Sequence, residues 1–251
     1  MYKIHILKNA DWYAPGSVIF DHGHLLNDPV KICMTCFLVQ GEGHNIMIDT
    51  GMDGIDQTYT DADRRQWNHL GPSKDTKDLL TEHALSCDDI DTILFTHLHF
   101  DHYWNVEQFT KAKLIANRKD WFFAMDPYNL PIFSPKGFPR KQLAYMAGEA
   151  FERLTLVDDY YTPFPEIIMS WVGGHSPGHM VIKIETKQGP VIIVGDIIYL
   201  YENLEKDIPI GYYTNYKEII DAMNWLRKQD AIILPSHDYE VFKRFPSLTI
   251  G

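Results

Sequence analysis

The sequence predicts an α+β fold, a layered sandwich with helices outside packed sheets. Three observations carry that expectation. Apolar runs of strand length come in groups, with segments of helical periodicity between and after them. Four of those runs, ending at Phe95, Val172, Val194 and Leu234, each deliver a histidine or aspartate just past their end. Strand ends on one edge of a sheet lie close in space, so this ordering gathers polar residues at one edge of the sandwich. Finally, no linker, low-complexity run or short-period repeat divides the 251 residues, and one domain over 1–251 is expected.

The elements follow in order. Residues 2–7 alternate apolar and polar as a strand does, and 32–39 and 45–48 continue the strand group. Residues 12–29 carry Gly, Pro and the aromatics Trp12, Tyr13 and Phe20, and read as a long loop suited to a lid or to a contact between two copies of the chain. His22 and His24 within it read as surface histidines. A helix over 75–86 feeds a strand over 91–96, and helices follow over 116–125 and 139–150. Strands return over 167–172, 180–185 and 190–194. Asn215, with Glu218 three residues on, predicts a capping box. The helix it opens carries one apolar stripe, Ile219, Ala222, Met223 and Leu226. Residues 231–234 form the last predicted strand.

Composition narrows the function. Hydrophobic residues make up 45% of the chain, which excludes a disordered chain. A formal charge of -11 repels phosphate backbones and argues against a nucleic-acid partner. No apolar stretch reaches membrane-spanning length, and the N-terminus lacks the apolar core of a signal peptide. A cytoplasmic protein with reduced thiols is expected. Of its three cysteines, Cys33 and Cys36 form a lone C-x-x-C inside a β-like run, with Cys87 apart. A zinc ribbon needs a second such pair, so these read as half-buried strand thiols.

The chemistry concentrates in Thr96-His97-Leu98-His99-Phe100-Asp101-His102. Imidazole and carboxylate ligands suit Zn and similar divalent ions. A packed core has no use for four such groups in so short a span, because burying them unpaired costs several kcal/mol. His97 and His99 would share one face of a strand, and the turn after them would bring round Asp101 and His102. The other runs add His175, Asp196 and His237. These seven residues match two metals that share a bridging carboxylate and a bridging hydroxide. Paired ions about 4 Å apart clamp attacking and leaving oxygens and lower the pKa of bound water to about 7, which points to hydrolysis. No dinucleotide fingerprint, P-loop or G-x-S-x-G elbow competes.

These residues resemble the metallo-β-lactamase superfamily, and within it the N-acyl homoserine lactonases. The resemblance runs over nearly the whole chain. It rests on Ile48-Asp49-Thr50-Gly51-Met52, on His97-Leu98-His99-Phe100-Asp101-His102 and on His175-Ser176-Pro177-Gly178-His179. Asp196 with Tyr199, Tyr201-Glu202-Asn203-Leu204 and Ser236-His237-Asp238 follow in family order. It implies an αββα sandwich, two mixed sheets flanked by helices, with a dinuclear site on one edge. It implies that His97, His99 and His175 hold one metal, that Asp101, His102 and His237 hold the other, and that Asp196 bridges them. Zn is the expected ion, and Mn, Fe or Co suit the same donors. Tyr199 would orient the substrate carbonyl and stabilise its oxyanion, and Asp101 would pass a proton to the leaving alkoxide. Asp49 would orient a ligand. His179 reads as a structural histidine. The implied reaction is opening of a lactone ring by a metal-bridging hydroxide, as in quorum quenching, with a small-molecule lactone as partner and a homodimer as the assembly to test.

Two departures bear on the substrate. Tyr103-Trp104-Asn105 stands where the lactonases usually carry small residues, and Val172-Gly173 stands where they carry Thr-Pro. The bulky rings are expected to narrow the pocket, with Phe100 and Trp104 lining it or packing beside it. Hydrolysis of another lactone, or of a cyclic amide such as a β-lactam, stays open with the same metal site. So does a metal-binding relic without turnover. A glyoxalase II type thioester hydrolase is disfavoured, because only a short tail follows His237.

Overall fold

Strand β1 (Lys3–Pro15) pairs antiparallel with strand β2 (Pro29–Gly41), in a register that runs from Lys3 opposite Gln40 to Pro15 opposite Pro29. This is a computed structural model, and it describes residues 1–21, 28–52, 70–126 and 137–251. His22 and His24 lie outside the described residues. β1 continues through Trp12–Pro15, where the sequence predicts a loop. Its alternation is broken by a register shift between Lys8 and Ala10. Beyond the shift, Ala10, Trp12 and Ala14 are buried, so the aromatic segment belongs to the sheet. A single helical turn, α1 (Gly16–Ile19), follows.

A two-residue turn leads from β2 into β3 (His44–Ile48), and both Glu42 (φ 52°) and Gly43 (φ 82°) take the left-handed conformation that a tight hairpin requires. Strand β4 (Leu70–Ser73) adds to β1. Helix α2 (Thr76–Thr81) starts at Asp75, whose carboxylate accepts from the amide of Lys77. Strands β5 (Thr92–Leu94), β6 (Lys113–Asn117) and β7 (Leu154–Val157) then run parallel beside β3. The parallel steps are bridged by the helical turn α3 (Phe100–Tyr103) and by helices α4 (Arg118–Met125) and α5 (Arg140–Ala147). The predicted helix over 116–125 therefore begins two residues late, because Ala116 and Asn117 belong to β6.

Strands β8 (Tyr160–Phe164), β9 (Ile167–Trp171), β10 (Met180–Thr186) and β11 (Gly189–Gly195) form an antiparallel meander. Past α6 (Tyr201–Glu205) and α7 (Tyr216–Leu226), strand β12 (Ile232–Pro235) returns parallel to β11. A short helix, α8 (Glu240–Arg244), and strand β13 (Thr249–Ile250) end the chain, with β13 paired to β1. Among the described residues the first sheet runs β13-β1-β2-β3-β5-β6-β7, with β4 on β1, and the second runs β12-β11-β10-β9-β8.

The alternation of side chains along the strands sorts the molecule into layers. Phe37, Val39, Ile46 and Ile48 of the first sheet meet Met169, Ile182, Ile184 and Ile193 of the second in one core. On the opposite face of the first sheet, Cys36, Leu38, Met47 and Leu114 meet Leu79, Trp121 and Leu143 of the helices. Val181, Ile192 and Val194 meet Ile219, Ala222, Met223 and Leu226 of α7 on the outside of the second sheet. Helix, sheet, sheet, helix is the αββα sandwich the motifs imply. Cys33 and Cys36 are both fully buried rather than half-buried, and burial pushes both thiols far above their ordinary range. Among the described residues no helix is long and apolar enough to cross a membrane.

Candidate metal centre

β5 stops at Leu94, and the amide of Phe95 donates to Ile115 O as the chain leaves the sheet. His97 and His99 therefore lie on extended chain beyond the ladder rather than on the strand itself. Their rings still meet, edge to face, at 4.7 Å. The α3 turn swings Asp101 and His102 in beside them, and all four side chains are buried. The 97–102 segment folds this way partly because of Asp49, a fully buried residue with φ 60° at the end of β3. Its carboxylate accepts from the amide and the hydroxyl of Thr96, each at 2.8 Å, and from Nδ1 of His102 at 2.7 Å. Fixing the Nδ1 proton leaves Nε2 of His102 as the nitrogen turned to the centre.

The His175 loop is shaped by glycines and by α7. Gly173 and Gly174 take φ 65° and 82°, and a Cβ on Gly174 would lie 2.8 Å from Ile219 Cδ1. Asn215 caps α7 as predicted, accepting from the amides of Lys217 and Glu218. The reciprocal half of the capping box is not made. Glu218 accepts from the side-chain amide of Asn215 at 2.9 Å instead of from its backbone N–H, and its other oxygen accepts from the amide of Gly174 at 2.8 Å. The helix start is thereby tied to the ligand loop. His175 donates its Nδ1 proton to Tyr212 O at 2.9 Å, which aims Nε2 inward.

His237 is held by a strand distant in sequence. Its Nδ1 donates to Cys33 O at 2.8 Å, and the Cys33 amide donates back to His237 O at 3.1 Å. Asp196 follows β11, and its two oxygens part company. Oδ1 lies 3.0 Å from Nε2 of His237 and 3.1 Å from Nε2 of His102. Oδ2 lies 3.3 Å from Nε2 of His175 and 3.8 Å from Nε2 of His97.

The seven predicted residues thus form two groups. One ligand atom from each of His97, His99 and His175 lies within 4.8 Å of the others, and the same holds for Asp101, His102, Asp196 and His237. His179, expected to be structural, joins neither group among the described residues, and its Nε2 donates to Val194 O at 3.0 Å.

The donor set fits divalent metal. Nε2 of His97 and of His102 are buried without a hydrogen-bond partner, and His102 Nε2 is out of line with Asp196 despite its closeness. Such orphaned nitrogens cost free energy unless something accepts their lone pairs. Burial holds His97 and His99 well below the usual imidazole range and lowers His175 to about 4, so all three are neutral, as ligands must be. Burial would lower His102 and His237 too, but the carboxylates of Asp196 and Asp101 outweigh it and raise both. Asp196 is held well below the carboxylate range because its four histidines overcome its burial. Positive charge is thus drawn to the place where a cation would sit.

A pocket of about 70 Å³ opens onto this cluster at His99, Asp101, His175 and Asp196. Its remaining wall includes Trp12, Val18, Phe100, Tyr199 and Tyr212. Burial, then Asp196 and Asp101, push the Tyr199 phenol well above its usual range, so it stays protonated. The narrowing expected from Tyr103 and Trp104 comes from elsewhere. The α3 turn that points Phe100 and Asp101 at the pocket points Tyr103 into the helix-side core, with its hydroxyl donating to Pro139 O at 3.2 Å. Trp104 does not line the pocket but packs against the cluster that contains Trp12, Phe100 and Tyr199 of its wall. Trp12, Val18 and Tyr212 carry no motif signal. Trp12 was hidden by the loop reading of its segment.

The model of the metallo-β-lactamase superfamily matches residues 35–237. An N-acyl homoserine lactonase of Bacillus thuringiensis is 27% identical, covering 93% of this chain and 94% of that protein. A solved structure of a variant of the B. thuringiensis protein AiiA, with N-decanoyl-L-homoserine bound at the active site, superposes with a TM-score of 0.80 at 21% identity and covers 96% of this chain and 95% of its own. The structure of AidC, a dizinc quorum-quenching lactonase in complex with a product, superposes with a TM-score of 0.71 at 18% identity, covering 95% and 88% of the two chains.

Proposed function

The chain belongs to the metallo-β-lactamase superfamily and is a metal-dependent hydrolase, and we propose that it opens the ring of a lactone, with N-acyl homoserine lactones as the leading substrate class. The observation that carries the reading is the placement of Asp196, with one oxygen against His102 and His237 and the other against His97 and His175. A carboxylate so placed would serve two ions at once. His97, His99 and His175 would hold one, Asp101, His102 and His237 the other, with Zn the best match to the donors and Mn, Fe or Co also suited. Ions held there would supply Lewis acidity and a water acidic enough to attack an ester at neutral pH.

The residues of the chain do the rest. The buried, protonated phenol of Tyr199 lines the pocket and donates to the carbonyl oxygen as negative charge develops on it. Asp101 also lines the pocket, and burial raises its carboxyl. It is placed to take the proton of the attacking water and to return it to the ring oxygen when the C–O bond breaks. The product is the open hydroxy acid. Trp12, Phe100 and Tyr212 exclude water and grip the apolar part of the substrate.

A compact cyclic ester is the second reading, favoured by the small volume of the pocket. Acid release from a panel of lactones, followed with a pH indicator, decides between the two. The panel holds short- and long-chain N-acyl homoserine lactones, a plain γ-lactone and a β-lactam, each tested with metal-loaded and chelator-stripped protein. Metal-dependent turnover of the homoserine lactones is expected. Turnover of the plain γ-lactone alone selects the second reading. No turnover of any lactone by fully loaded protein overturns both.

A further inference from the structure

Asp120 belongs to none of the motifs, yet it touches both segments that supply the three-histidine group. It is the third residue of α4, fully buried, and three donors converge on its carboxylate. Oδ2 accepts from the amide of Leu98, between His97 and His99, at 3.1 Å. The same oxygen accepts from the hydroxyl of Ser176, next to His175, at 2.8 Å, and Oδ1 accepts from the amide of Gly178 at 2.6 Å. The approach is close. A Cβ on Gly178 would lie 2.4 Å from the Asp120 amide nitrogen, so only glycine lets the loop seat on the start of α4. Asn117 fixes that start, capping the Lys119 amide at 2.8 Å while its side-chain amide donates to Asp158 O.

The other group of ligands has a different support. Asp49 holds His102, and the Cys33 backbone holds His237. None of the recorded hydrogen bonds of Asp120 reaches Asp101, His102, Asp196 or His237. Asp49 thus reaches His102 directly and His97 only through the Thr96 hydroxyl, whereas Asp120 bonds both segments that carry the three histidines.

We propose that Asp120 is the positioning residue of the three-histidine half, clamping the His97–His99 segment to the His175 loop so that these side chains meet one ion as a preset triad. This rests on the reading of His97, His99 and His175 as metal ligands. Replacing the carboxylate by an amide sets up a conflict. Asn has one acceptor oxygen and one donor group, while two of the three donors facing residue 120 are backbone amides that cannot reverse their role. Whichever way the amide turns, a donor faces a donor, and one of the two segments is released.

The test titrates Zn²⁺ into chelator-stripped wild type and Asp120→Asn in competition with a chromophoric chelator, with circular dichroism of the metal-free proteins as the control for folding. Wild type is expected to bind two equivalents. In Asp120→Asn one equivalent weakens by about 10–100-fold, the range for loss of a residue that orients metal ligands, while the other keeps its affinity. Two unchanged equivalents, or two weakened alike in a folded variant, would overturn the assignment. If Asp120→Asn does not fold, Ser176→Ala decides by the same readout, since it removes one donor and leaves both backbone bonds. Selective weakening of one equivalent supports the clamp, and two unchanged affinities overturn it. A wild-type chain that takes up no Zn²⁺ overturns the metal-centre reading itself, and the clamp with it.

Discussion

The ring of Tyr199 leans on the ring of His237, with centroids 5.3 Å apart and planes at 51°. It also meets the ring of His175 edge-on at 5.9 Å, so the tyrosine is packed against both groups of candidate ligands while it lines the pocket. Its phenol belongs to the substrate space without belonging to either ligand group among the described residues.

From this follows the first expectation. Tyr199→Phe keeps the ring contact and removes only the hydroxyl. Metal content should stay at the wild-type level, while kcat for a lactone falls by about 100-fold, the lower end for losing one oxyanion donor. Metal analysis beside steady-state kinetics checks it. An unchanged kcat would remove Tyr199 from the chemistry.

Asp196→Asn behaves in the opposite way. The aspartate is the acid that faces histidines of both groups. Its neutralisation should lower metal stoichiometry and activity together, and inductively coupled plasma analysis after dialysis reads the stoichiometry. Full metal content with full turnover would sink the bridging role.

Trp12 and Tyr212 are bulky rings in the wall of the pocket. Trimming either to Ala should raise kcat/KM for long-chain relative to short-chain lactones by roughly 10-fold, the low end for opening room for methylenes in an apolar pocket. Tyr103→Ala should leave that ratio alone, since its side chain lies in the helix-side core. A panel of acyl lengths measures the ratio. Equal profiles for wild type and Trp12→Ala would reject the assignment.

The Asp120 carboxyl, pushed up to about 6 by burial, makes stability depend on pH. Below the ordinary value of 3.8 it carries a proton in both the folded and the unfolded chain. Between 3.8 and about 6 the folded chain keeps that proton and the unfolded chain releases it, so its contribution to stability falls as pH rises and then levels off. A displacement of this size corresponds to about 3 kcal/mol. Urea unfolding of metal-free wild type and Asp120→Asn from pH 4 to pH 7 isolates the effect. The advantage of wild type over the variant should shrink up to about pH 6 and then stay constant, and a pH-independent difference would contradict this.

What could be read from the residues follows from where the signal is local. The candidate ligands and their gathering at one edge were legible because they lie past strand ends, and strand ends are written in runs such as Ile93-Leu94-Phe95. The layers were legible because alternation along Phe37, Leu38 and Val39 sorts side chains between two cores. Asp120 was not legible. An acid in the first turn of a helix is ordinary, and only the fold shows that Leu98, Ser176 and Gly178 point at it. Lys113–Asn117 was missed as a strand because its end merges into the apolar pattern of α4. The extended run past Trp12 was missed because a register shift interrupts its period. Tyr103 stands apart from the pocket because the α3 turn carries it into the helix-side core, while Trp104 packs beside the wall residues Trp12, Phe100 and Tyr199.

The backbone clasp between Cys33 and His237 spans 204 positions, and it brings a strand of the first sheet onto a ligand carried by the second. His97, His99, Asp101 and His102 follow β5 of one sheet, while His175, Asp196 and His237 follow strands of the other. Neither half of the polypeptide owns a complete set of candidate ligands. Two fragments parted at the exposed link between β7 and β8 would each be metal-poor alone and metal-competent only when reunited. Metal uptake would thus report complementation between the two sheets.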